Sequence, residues 1–215
     1  GLSGYWLHRN LLGGAERLRI DGEISGIGGE TGGTDYTVSL RFDRPATFNE
    51  DTDFYIESEA ERLNEESYTT KSFELGAGIT RYASEKREYS FGLGYRFADV
   101  TDAFGPRRYA LLMAPASATF DYRDDPLDAK KGYYAKAELT PFYALRGTDS
   151  GLLGTLDMRA YKTVGAAERL TFALRGQLGS LSGPNLARAP SDFLFYSGGG
   201  GTVRGQNYQS LNVPL

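Results

Sequence analysis

The sequence contains no cysteine and a single histidine, His8. The first absence excludes a disulfide framework and any thiolate metal site. The second removes the base that a Ser-His-Asp or Cys-His arrangement needs, unless His8 itself serves, and His8 reads as a strand residue at the lumen or the interface rather than a catalyst. No stretch approaches the roughly 18–20 apolar residues of a membrane helix, and the N-terminus lacks the basic start and apolar run of a secretory leader. No basic patch accompanies the net charge of −4, so nothing favours nucleic acid. The glycine tract Gly198–Gly201 is not followed by the Lys-Ser/Thr of a phosphate loop. Carboxylates such as Glu57 and Glu59 sit on a polar strand face that needs no catalytic role for them. Together these exclude the common enzyme classes and call for no cofactor or metal.

What is abundant is glycine, tyrosine and phenylalanine, with 28, 15 and 12 residues, a composition that favours strands and tight turns. Apolar and polar residues alternate with a period of two almost end to end. Tyr36, Val38, Leu40 and Phe42 alternate with Thr37, Ser39 and Arg41. Tyr89, Phe91, Leu93, Tyr95 and Phe97 oppose Ser90, Gly92, Gly94 and Arg96. Because successive strand side chains point to opposite faces, each such segment has one apolar and one polar face. The stretch from Glu57 to Asn64 has helical propensity, but its alternation continues from Phe54 and predicts a strand. Counting a short strand near Tyr5–Arg9, one over Ala114–Arg123 and a last one near Phe193–Tyr196, the pattern predicts about eleven strands. The connections are short and rich in turn formers, as in an antiparallel meander.

Both a soluble sandwich and a membrane barrel alternate in this way. Three features favour the barrel. Many segments run about 10–14 residues, against roughly 5–6 in a typical soluble sheet, and membrane strands need about 9–11. The polar face is dense in both charge signs, as a wet lumen requires. Aromatic residues gather at strand ends (Tyr5 and Trp6, Tyr82, Tyr122, Tyr133 and Tyr134), as in interface girdles. The expected fold class is therefore all-β, an antiparallel transmembrane β-barrel. An odd count of strands ending in a loop does not close in the usual bacterial pattern, so further strands are expected in the parent protein.

Three motifs resemble one family. The first is Phe195-Tyr196-Ser197-Gly198-Gly199 followed by Val203-Arg204-Gly205. The second is Asp121-Tyr122-Arg123-Asp124-Asp125-Pro126 with Gly132. The third is Arg9-Asn10-Leu11-Leu12-Gly13. They are similar, in the same order, to hallmarks of the Omp85 superfamily, the bacterial surface antigen D15 type. The pattern is most like the TamA branch and next most like the BamA branch. Gln206 stands where the family carries an aromatic residue, and Ala129 where a second proline is common.

The resemblance implies a sixteen-stranded barrel of which residues 1–215 are the N-terminal part, without the POTRA domains and the last strands. It implies that the Gly198, Gly199, Val203, Arg204 and Gly205 loop is the sixth outer loop, with Arg204 folded into the lumen. It implies that the first strand, with Tyr5, Trp6, Leu7 and His8, forms a lateral seam. Asp121, Arg123 and Asp124, placed at the outer end of the seventh strand, read either as a wall ion pair and loop brace or as an ordinary solvated turn. The function implied is folding, insertion or translocation of outer-membrane proteins such as autotransporters, in a Gram-negative outer membrane. The implied partners are the lipid bilayer, unfolded client proteins and a periplasm-spanning TamB-like protein. A two-partner-secretion transporter, a passive channel and a soluble all-β binding module stay open as alternatives.

Overall fold

A computed structural model describes residues 1–26, 33–65, 68–165, 170–185 and 187–195. The strands are β1 (Leu2–Arg9), β2 (Arg17–Ser25), β3 (Asp35–Arg44), β4 (Thr52–Asn64), β5 (Tyr68–Ser84), β6 (Arg87–Asp102), β7 (Gly105–Met113), β8 (Ala116–Asp121), β9 (Lys131–Arg146), β10 (Gly151–Val164) and β11 (Leu170–Ser182). All belong to one antiparallel sheet of eleven strands, joined neighbour to neighbour in chain order. β7 and β8 lie end to end between β6 and β9 and share one place in that order. Pro115 separates them. Proline has no N–H to give a ladder, and its carbonyl accepts instead from the Gly92 N–H at 2.8 Å. No helix among the described residues is long and apolar enough to cross a membrane, which says nothing of strands that do.

The register carries the sequence alternation into two continuous faces. Ile20, Leu40, Ser58 and Leu75 stand in one row across β2 to β5, and Trp6 joins it on β1. That row belongs to an apolar outer face, on which Trp6, Val38, Phe73, Phe91, Leu93 and Leu174 stay exposed. On the opposite face Arg19, Arg41 and Glu57 stand in line. An apolar outside and a charged inside is the inverse of a soluble domain and the arrangement of a membrane barrel wall.

Two differences from the expected strands stand out. The stretch over Gly105–Met113 is a strand that the alternation does not announce. The strand expected near Phe193–Tyr196 is instead a 3-10 turn over Ser191–Phe193 followed by an extended Leu194, and Tyr196 lies outside the described residues. The segment expected over Ala114–Arg123 is β8 and ends at Asp121. The Glu57–Asn64 stretch lies in β4, as its alternation predicts.

The first turn explains its motif locally. Asn10 and Ala15 take positive φ values of 62° and 63°. The Asn10 N–H donates to the Glu16 carbonyl at 2.6 Å, and the Ala15 N–H to the Asn10 side chain at 2.9 Å. The Glu16 carboxylate, in a residue only 3% exposed, accepts the N–H groups of Gly14 and Leu12 at 2.9 and 3.2 Å. Its own backbone N–H, then that of Gly14, hold this carboxyl below the usual glutamate range. A folded-state value below the unfolded one gives stabilisation that is complete above the unfolded value and is lost as pH falls through the folded one. Glu16→Gln is therefore expected to lower the urea midpoint at neutral pH. The gap to wild type should close as the pH drops below about 4, the ordinary glutamate range. A gap that stays constant down to acid pH would assign the effect to shape rather than charge.

Candidate functional site

The polar face is laced with ion pairs within strands and between neighbouring ones. Arg41 on β3 reaches Glu57 on β4 at 2.8 Å and Asp43 at 2.9 Å, with its guanidinium 4.6 Å above the Tyr55 ring. Arg96 on β6 pairs with Glu74 on β5 at 2.8 Å. Lys136 and Glu138 on β9 pair at 2.6 Å, and Thr155 on β10 donates to Glu138 at 3.0 Å. Asp157 on β10 accepts from Arg159 at 2.7 Å and from Arg175 on β11 at 2.9 Å. Alternation alone places these groups on one face. The register sets Glu57 opposite Arg41 and Glu74 opposite Arg96, places Arg175 diagonally from Asp157, and leaves the other pairs two residues apart on one strand.

One end of this face is dry. Tyr68, Ala98, Val100, Tyr109, Leu111, Met113 and Phe142 form a buried cluster there, with Ala98 and Leu111 fully buried. What covers them is the chain after β11. It turns back so that Ala189, Pro190 and Ser191 are buried against the sheet. Phe193 packs edge-on against Phe142 with ring centroids 5.4 Å apart. A Cβ at Gly179 on β11 would overlap the Phe195 ring, so glycine makes room for it there. The return is latched by polar contacts at the β6–β7 and β9–β10 turns. Asp102 accepts both from Arg107 and from the Ser191 hydroxyl. Arg107 also donates to the Ala187 carbonyl at 2.5 Å and to Ser191 Oγ at 3.2 Å. Thr148 donates to the Arg188 carbonyl at 2.6 Å, and Arg188 pairs with Asp149 at 3.2 Å. None of these latch residues stood out in the sequence. Arg107 and Asp102 flank a plain turn, and only the fold brings Ser191 to them.

This returning segment leads directly into the glycine–arginine tract. Gly198, Gly199, Val203, Arg204 and Gly205 lie outside the described residues. The other expected site residues are placed. Asp121, the last residue of β8, is paired with Arg123 through two contacts, Nη2 to Oδ2 at 2.6 Å and Nε to Oδ1 at 2.8 Å. Arg123 further donates to the Pro126 carbonyl at 3.0 Å. Its guanidinium stands 5.1 Å from the Tyr134 ring, and Arg159 stands 5.0 Å from the same ring. Asp124 takes a separate part: its carboxylate accepts the N–H groups of Lys130 and Lys131 at 2.9 and 3.0 Å, closing the turn. Those same groups, Lys131 first, hold the Asp124 carboxyl below its usual range.

Their position corrects an expectation. β8 occupies the seventh place in the sheet and β11 the tenth, so antiparallel order puts Asp121 and the end of β11 at opposite rims. Asp121 and Arg123 therefore lie at the rim opposite the end of β11, and not at the rim from which the chain leaves its last strand. Counting Phe193–Tyr196 as a strand is what placed them together.

β1 pairs with β2 over its whole length and forms one end of the sheet. Tyr5 and Leu7 face the polar side in register with Asp21 and Arg19, and Arg19 lies 4.8 Å over the Tyr5 ring. Trp6 and His8 point to the outer side, with ring centroids 5.7 Å apart. His8 thus stands on the outer side, away from the face that carries the ion pairs.

A family model described as the Omp85 superfamily domain matches residues 10–214. Among solved structures the fold is similar to BamA from Haemophilus ducreyi lacking POTRA domains 1–3. The TM-score is 0.81 and the identity 15%; the match covers 98% of this chain and spans 44% of that one. No curated protein matches the chain.

Proposed function

The chain belongs to the Omp85 superfamily, and from that premise we propose that it forms the barrel wall and lumen latch of an outer-membrane assembly factor. The parent protein folds, inserts or translocates β-barrel clients such as autotransporters in the outer membrane of a Gram-negative bacterium, with a TamB-like protein as its periplasmic partner. The work is done by binding and not by bond chemistry. The observation that carries this reading is the returning segment. It is seated on the dry part of the polar face, immediately before the glycine–arginine tract in the sequence, and supports a reading in which that tract enters the lumen. Arg204, with its planar fork of donors, is the group on that tract suited to bind wall carboxylates. By the family resemblance β1 would form the lateral seam, and a strand edge opened at that seam can pair with an incoming client strand.

The test uses the full-length parent in liposomes and follows insertion of an unfolded outer-membrane barrel. Wild type should accelerate insertion. Arg204→Ala should slow it by roughly fivefold, equivalent to about 1 kcal/mol on the barrier. If wild type gives no acceleration while ions or one dedicated client cross the bilayer, the transporter reading replaces this one.

A further inference from the structure

On the outer face, one row of the ladder breaks the apolar pattern. Arg62 on β4 stands directly opposite Lys71 on β5. Lys71 stands opposite Asp99 on β6, and Asp99 opposite Arg108 on β7. Four adjacent strands thus contribute three cations and one anion to a single line about 14 Å long. Arg62, Lys71 and Arg108 are exposed. Asp99 pairs with Arg108 at 2.7 Å, and among the described residues Arg62 and Lys71 make no ion pair. Like charges directly opposite on neighbouring strands repel and destabilise the pair. An anion supplied from outside the protein would relieve that repulsion.

What lies beside the row identifies the source of the anion. The next rung inward is apolar: Ala60, Phe73, Phe97 and Ala110 in register, with Phe73 43% exposed. Tyr36 continues the charged row on β3, next to Arg62, as an exposed aromatic. Following β5 away from the row, the outward residues stay apolar from Phe73 to Ile79 and then reach Arg81, which is exposed. Lys71 and Arg81 are separated by roughly 33 Å along the strand at about 3.3 Å per residue. At the usual strand tilt this is about 25 Å along the membrane normal, the height of the apolar band of such barrels. Lys71 therefore sits at one edge of the hydrocarbon, where headgroup phosphates lie, and not in free solvent.

We propose that Arg62, Lys71 and Arg108 form a binding row for a phosphate-bearing, net-negative lipid headgroup at the rim where β11 ends. Its acyl chains would lie against Phe73 and Phe97. Asp99 orients Arg108 and leaves a net positive row. The inference rests on the outer face being the membrane face and is independent of the insertase role and of Arg204.

The test takes the full-length protein in a neutral detergent. It is titrated with phosphatidic acid or phosphatidylcholine of identical chains, and native mass spectrometry counts the bound lipids. Wild type should hold phosphatidic acid in preference to phosphatidylcholine. The triple variant Arg62→Gln, Lys71→Gln, Arg108→Gln should weaken phosphatidic acid about tenfold, while Arg9→Gln, Arg17→Gln, Arg19→Gln, the same charge change on the polar face, stays within about twofold. Heat-dependent migration on gels reports folding of each variant. Should the triple variant not fold, Lys71→Gln alone should weaken binding about threefold. Equal weakening by both triple variants, or equal affinity for the two lipids, would overturn the site. Displacement of the lipid by millimolar inorganic phosphate would show a free-phosphate site and overturn the lipid assignment. Loss of insertion activity with lipid binding intact would instead strike the assembly reading alone.

Discussion

Gly132→Ala is expected to cost the barrel about 3 kcal/mol or more, combining a positive-φ strain of about 1–3 kcal/mol with overpacking of similar size. Gly132 has φ +100°, a region that L side chains rarely adopt, and a Cβ there would collide with the Tyr122 carbonyl. That carbonyl cannot retreat cheaply. The Tyr122 N–H donates to the Tyr133 carbonyl at 2.8 Å, and the Tyr122 and Tyr133 rings stack with centroids 5.0 Å apart. The collision would be relieved only by splaying the β8–β9 turn that Asp124 and Arg123 close. Gly13→Ala is the matched comparison. Gly13 also has a positive φ, +93°, but its Cβ would meet nothing within 4 Å, so only the torsional strain applies. The measurement is the urea midpoint of the full-length protein refolded in detergent, with heat-shifted gel migration as the folded marker. Equal midpoints for the two variants would mean that backbone torsion, and not the close approach to Tyr122, is what requires glycine at 132.

Most of the wall was legible because the physics of a barrel wall is a period of two. Wherever one face meets lipid and the other meets water, as in Tyr36–Phe42 or Tyr89–Phe97, the alternation and the strand coincide. It fails where the inner face is not wet. In β7 the inward residues Tyr109, Leu111 and Met113 are as apolar as the outward Leu112, because the returning segment covers them. The alternation collapses into a continuous apolar run, and the stretch reads as no strand at all. The covering piece suffers the converse error. Phe193, Leu194 and Phe195 look like a strand because they are apolar and aromatic, yet Phe193 is apolar because it packs on the cluster under it, and Phe195 lies over Gly179. These two misreadings share one cause, a dry patch on a face expected to be polar. They cancel in the count of eleven strands, but the second alone puts the end of the last strand at the rim of Asp121, because β7 and β8 share one place. The turn chemistry was legible as motif, since Asn10, Gly13 and Gly132 announce special backbone. Which contacts demand it, and the meeting of Asp102 with Ser191, depend on long-range register that no local pattern encodes.

Removal of the latch is expected to free the returning segment while leaving the wall intact. Asp102 is the hub: its side chain is 7% exposed, it pairs with Arg107, and it accepts from Ser191. Asp102→Ala leaves the Arg107 guanidinium beside the sheet without its carboxylate, and breaking a buried pair in this way costs roughly 3 kcal/mol. The wall strands β5, β6 and β7 remain paired over long registers that do not pass through Asp102's side chain. The penalty therefore falls on docking of the segment around Ala189, Pro190 and Ser191. Residues 1–215 contain no cysteine, so once any cysteine elsewhere in the full-length protein is replaced by serine, one introduced thiol reports on the segment alone. Ala189→Cys places it at a position 1% exposed, where a maleimide reacts only when the segment lifts. Adding Asp102→Ala should speed labelling by about a hundredfold, the equivalent of roughly 3 kcal/mol in the opening equilibrium. Arg107→Lys, which keeps the charge and loses the planar fork that reaches Asp102, Ser191 and Ala187 together, should give an intermediate rate. Identical labelling rates with and without Asp102 would mean that the apolar contacts of Phe193 and Phe195 hold the segment unaided. The polar latch would then only set its register. Faster labelling with unchanged gel migration would make segment docking an equilibrium separate from barrel folding, and so a motion available to the protein during its cycle.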